Sequence, residues 1–253
     1  MNPPHLPDPR ATSRPPAPWG VLATGLWSVG ILGAALFVFV IVATGLHVAL
    51  FAIRPEVPVT GLGDHPLFDL VSTAMALMVL GFGTVLVVLL VDVPAREYLA
   101  LRLPPRGQAL FYATITSLWI AAILVIGPAF GHDPGLFLAE RPQGSWVGLL
   151  AAAALRFVGV PLAIELFARG FLFYGLTAGR RYAAPGLVVT TVVAAVLHCF
   201  FFASGPIYWF LALFESLLLS LARTRTGSLL LSFALHVAIV IGLFGGALFA
   251  GSG

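Results

Sequence analysis

Six ionisable side chains sit inside long apolar stretches of this sequence: Arg156, Glu165, Arg169, His198, Glu215 and His236, with His47 near the end of an earlier stretch. Their types suit hydrolysis. A carboxylate with an imidazole deprotonates a water, and a second imidazole donates to a developing oxyanion. Glu165 and Arg169 are spaced i,i+4, so both project from one helical face and form an ion pair. Pro161, one turn earlier, lacks a backbone donor and frees the carbonyl of Phe157, which opens polar backbone beside Glu165. Each group also has a purely structural use. Glu165 and Arg169 would lock one helix to its neighbours, a lone histidine would bond a nearby carbonyl, and Glu215 would partner Arg156 or Arg169.

The surroundings decide how much these groups cost. Apolar residues make up 60% of the 253-residue chain and charged residues 9%, against roughly 25% charged in soluble domains. Such a chain cannot cover a water-facing surface and needs lipid as its solvent. Its cations are all arginine, and all but Arg156 and Arg169 fall in the tail and the short connections, so they set topology and do not indicate nucleic acid. Residues 1–19 hold seven prolines and no apolar run, and read as a disordered cytoplasmic tail. Residues 20–253 read as one all-α, polytopic transmembrane helix bundle of about seven spans. These are placed near 24–52, 67–91, 108–130, 146–178, 184–203, 207–222 and 228–250, each long enough for a core of about 30 Å. The fourth is overlong and contains Pro161, so it is tilted, kinked or broken there.

Alternate connections collect nine arginines against two, which puts the N-terminus in the cytoplasm. On that topology His198 lies roughly 22 Å deep and His236 roughly 14 Å, with Glu165 at a depth similar to that of His198. A charge at the bilayer centre costs roughly 2.5–3.5 kcal/mol, so groups kept there pair with each other or line a wet cavity. Three of them on three helices at comparable depth imply a shared site.

The residues themselves resemble a known pattern. Glu165, Arg169 and Gly170, with Ile164 before them, resemble the first signature of the CPBP family, the CAAX-protease and bacteriocin-processing intramembrane endopeptidases, which reads Glu-Glu-x-x-x-Arg. His198 stands where the second signature, Phe-x-x-x-His, has its histidine. The run from Arg225 through Thr226, Gly227 and Ser228 to His236 resembles the third, which ends in His-x-x-x-Asn or Asp. The likeness covers about 107–250. It departs at Ile164, where the first Glu belongs, at Ala194 for the Phe, and at Val240 for the terminal Asn or Asp.

The resemblance implies an intramembrane endopeptidase, multi-pass in a bacterial inner membrane, cutting a hydrophobic or lipidated peptide or a membrane protein. Glu165 or Glu215 with His198 would activate water, His236 would assist at the carbonyl, and Arg169 would hold the carboxylate; Arg156 is an auxiliary candidate. The same departures leave open a catalytically inactive relative serving as a membrane scaffold, binding or immunity protein. No cofactor is expected. A zinc ion on Glu165, His198 and His236 is the one metal reading, with Arg169 competing against it and no His-Glu-x-x-His in the chain. Membrane lipid is the surrounding partner.

Overall fold

With few polar side chains to hand and lipid outside, the backbone has to satisfy its own donors and acceptors, and helices do this within one segment. The computed structural model describes residues 20–53, 66–91, 93–126, 146–177, 183–202 and 206–249. The proline-rich tail at 1–19, the expected end of the third span at 130, and Arg54, Arg141, Arg180 and Arg181 lie outside them.

The helices are α1 (Gly20–Ile53), α2 (Pro66–Leu89), the single turn α3 (Ala95–Tyr98), α4 (Arg106–Ile126), α5 (146–177), α6 (Ala183–Phe202), α7 (Pro206–Thr226) and α8 (Leu229–Phe249). No strand occurs among the described residues. Among the described residues, six helices are long and apolar enough to cross a membrane, and α8 is apolar over Leu229–Leu243. The all-α, polytopic reading therefore holds, with each expected span matched by one helix. Outward-facing residues such as Leu22, Phe82 and Val125 are large, apolar and exposed, as lipid contact requires. Some inward hydroxyls bond their own helix: Thr84 donates to Leu80 O at 2.6 Å and Ser28 to Thr24 O at 2.8 Å.

The central element is α5, with α2, α6 and α8 packed around it. Val160, Ile164, Phe167, Ala168 and Phe171 are fully buried in the main apolar cluster. The chain does not break at Pro161. It winds more widely on either side, as π-helix over Leu155–Gly159 and Glu165–Leu172, with a short α-helical stretch, Val160–Ile164, between. Pro161 cannot donate to Phe157 O and its ring crowds that carbonyl; a wider turn relieves the clash within a continuous helix.

Two junctions set the register of the outer helices. Gly175 brings α5 against α1, since a Cβ there would collide with the Thr24 side chain. Gly175→Ala is accordingly expected to lower stability by about 1–3 kcal/mol through overpacking. Gly81→Ala, in open space, should stay within about 0.5 kcal/mol. Thermal unfolding of both variants in detergent checks this, and equal midpoints would refute the close approach. The second junction joins α7 to α8. Gly227 adopts φ +62 and its N–H bonds Arg223 O at 2.9 Å, closing α7 with a left-handed residue. Ser228 then caps α8, its Oγ accepting from Leu231 N–H at 3.2 Å. The segment after α3 clamps this turn: Arg102 Nε donates to Gly227 O at 2.7 Å and Leu229 N to Ala100 O at 3.1 Å. His236 follows two turns later, so this junction sets its height.

Candidate active site

The second π-helical stretch of α5 carries Glu165 and Arg169, both with no exposed surface. Arg169 Nη1 pairs with Glu165 Oε1, and Arg169 Nη2 donates to Ser216 O of α7 at 3.0 Å. Arg223 of α7 donates in turn from Nε to Arg169 O at 3.2 Å. Two charges this deep survive only when each is paired and further hydrogen-bonded, and the backbone of α7 supplies part of that support.

From α8, His236 places Nδ1 2.9 Å from Glu165 Oε1. A carboxylate only accepts, so the Nδ1 proton belongs on this bond and Nε2 points the other way. Nε2 faces Glu215 Oε1 of α7 at 3.4 Å. His198 of α6 approaches the same oxygen, Nδ1 to Oε1 3.6 Å. The two imidazoles lie nearly parallel, centroids 5.5 Å apart and planes 21° apart, and Phe202 packs on His198 at 4.5 Å. Within the described residues neither Glu215 Oε1 nor His236 Nε2 has a hydrogen-bond partner of good geometry. With the Nδ1 proton fixed, these are two acceptors facing each other, an arrangement that repels unless a donor or cation lies between. His198, at 8%, is the most exposed member of the group.

Glu165, Arg169, His198 and His236 thus come together. Glu215, expected either as a second candidate base or as an arginine's partner, stands between the two histidines, while Arg169 is occupied by Glu165 and Ser216. Arg156 lies on the first π-helical stretch, half-buried and roughly 13 Å along α5 from Glu165. Ile164 and Val240 are fully buried in the apolar cluster. The set with metal-ligand spacing also changes. Ligand atoms of His198, Glu215 and His236 lie within 4.8 Å of one another, so Glu215 takes the place expected for Glu165, which Arg169 holds. Arg223 and the Ser216 carbonyl gave no sign in the sequence. Phe202 did, being i+4 from His198.

Residues 146–242 match the family model described as type II CAAX prenyl endopeptidase, Rce1-like, a stretch that contains all five clustered side chains. No curated protein and no solved structure matches the chain.

Proposed function

We propose that this chain, which carries an Rce1-like CAAX-protease domain at residues 146–242 in a multi-pass membrane bundle, hydrolyses a peptide bond of a hydrophobic or lipidated substrate within the membrane. The carrying observation is the position of Glu215 Oε1, shared between His198 Nδ1 and His236 Nε2 in a buried site. Water held between Glu215 and His198 loses its proton to the Glu215 carboxylate and attacks the scissile carbonyl. His236 takes up a second proton, at Nε2, which ends its repulsion with Glu215, and the imidazolium donates from Nε2 to the oxyanion that forms. The proton then passes to the leaving amine. Glu165 is a positioning residue in this scheme: it accepts the Nδ1 proton of His236 and fixes the ring, and Arg169 fixes Glu165. Ile164 and Val240 have left the chemistry, and the carboxylate has moved from α5 to α7. Substrate reaches the site from the side of His198. Cytoplasmic placement of the N-terminus, argued from the arginine count, belongs to the same proposal, as does a bacterial inner membrane.

Reconstitution in liposomes with a panel of transmembrane and lipidated peptides tests the reading. Cleavage is expected in the parent, with a loss on the order of 10²–10⁴ in His198→Ala. A parent that captures peptides without cutting any, and a His198→Ala variant that captures them equally, would identify the non-catalytic scaffold instead.

One observation favours a second reading. The 3.4 and 3.6 Å separations at Glu215 Oε1 are close to the roughly 3.4 Å between ligand atoms around a tetrahedral zinc with bonds near 2.0–2.1 Å. Water activation by Glu215 alone is expected to be indifferent to 1,10-phenanthroline. Abolished cleavage together with one zinc per chain would establish the metal reading.

A further inference from the structure

A second feature lies where the ends of α5 and α7 meet the starts of α6 and α8. A cavity of about 710 Å³ opens there, walled on one side by the segment around α3. Among the described residues, three guanidinium groups line it, from Arg96, Arg102 and Arg223, against one carboxylate, that of Glu97. Such a concentration of cations is unfavourable unless an anion is the intended occupant, because like charges around one cavity repel.

The arginines are pre-positioned. Arg102 Nε is held by Gly227 O at 2.7 Å and Arg96 Nε by Leu101 O at 3.4 Å. Arg223 is 95% buried by its neighbours, being only 5% exposed, and its guanidinium lies 5.5 Å from the Phe173 ring centroid. A Cβ on Gly227 would meet the Arg102 guanidinium, which would have to shift. The backbone contacts of Arg96 and Arg102 orient those two forks, and guanidinium forks match phosphate oxygens.

We propose that this cavity binds the phosphate headgroup of an anionic phospholipid. It lies at the level where the spanning helices end, which is the headgroup layer of a bilayer, and basic pockets between spanning helices at that level take anionic headgroups. It is several times larger than a phosphate ion. Its walls include the apolar Leu187 and Phe173 beside the three cations, and the position after Leu187, Val188, is 61% exposed on the outer surface of α6. Glycerol and the first acyl carbons have somewhere to lie. The inference does not depend on catalysis. Its physical link to the buried cluster is Arg223, which lines the cavity and also donates to Arg169 O.

The full chain in a neutral detergent is titrated with short-chain phosphatidylglycerol, with short-chain phosphatidylcholine, and with inorganic phosphate, reading the thermal unfolding midpoint and the bound lipid by native mass spectrometry. Phosphatidylglycerol is expected to bind at least about tenfold more tightly than phosphatidylcholine, and to raise the midpoint where inorganic phosphate does not. Each arginine near a lipid phosphate accounts for on the order of fivefold in affinity. Arg96→Gln, at an exposed position, should therefore weaken binding about fivefold, and the double variant with Arg102→Gln on the order of twentyfold. Arg225→Gln, an exposed neighbour that does not line the cavity, should leave it unchanged. Equal affinity for the two lipids would overturn the proposal. So would equal protection by inorganic phosphate, or equal losses in Arg225→Gln and Arg96→Gln.

Discussion

Glu215→Gln stops peptide cleavage, lowering turnover by a factor on the order of 10²–10⁴, the usual contribution of a positioned general base. Folding survives, because glutamine has nearly the same volume and needs no counter-charge at a site where Oε1 has no well-made hydrogen bond to lose. Glu215→Asp shortens the side chain by one methylene, keeps the carboxylate, and retains part of the activity. The result that would sink the relocated base is a Glu215→Gln enzyme within a few-fold of the parent. In that case Glu165, despite its bonds to Arg169 and His236, would have to serve as the base. Turnover should be followed with the thermal midpoint of each variant, so that a chemical loss and an unfolded protein are told apart.

Arg169→Met destabilises the bundle by about 3–5 kcal/mol, the cost of leaving a buried charge without its partner. Glu165 would keep its charge with no exposed surface, and Ser216 O would lose its side-chain donor. The double variant Glu165→Gln with Arg169→Met should recover most of the stability, since removing both charges of a buried pair is often close to neutral. It should nevertheless cleave poorly, because His236 would no longer have a carboxylate to fix its Nδ1 proton. Unfolding midpoints in detergent for the two single variants and the double variant give the coupling energy directly. An Arg169→Met midpoint equal to that of the parent would mean that the pair carries no structural role.

Much of this was legible in one dimension, for reasons specific to lipid. Seven apolar runs at span length and an alternating arginine count lead to a helical bundle because bilayer thickness leaves little choice of element. Glu165, Arg169, His198 and His236 stood out because ionisable groups are costly at that depth. Glu215 was visible as a charge in the wrong solvent, but its direction was not. Neighbouring residues on a helix point about 100° apart, so the packing of α7 against α6 and α8 decides whether its carboxylate meets an arginine or two histidines.

The same holds on α5. Pro161 announces a disturbance, yet a kink, a break and two widened turns are equally compatible with one missing donor. The burial of Ile164, Phe167 and Phe171 among the neighbouring helices accompanies the rewound form that brings Glu165 onto His236. Arg223 reads as one more basic residue at a helix end until α5 is beside it and its Nε meets Arg169 O. Composition and run length were sufficient for solvent, helices and the roster of costly side chains, since those depend on each segment's own transfer energy. Which carboxylate faces which imidazole depends on how each helix is turned about its axis, and that follows only from side-chain packing between segments far apart in the chain.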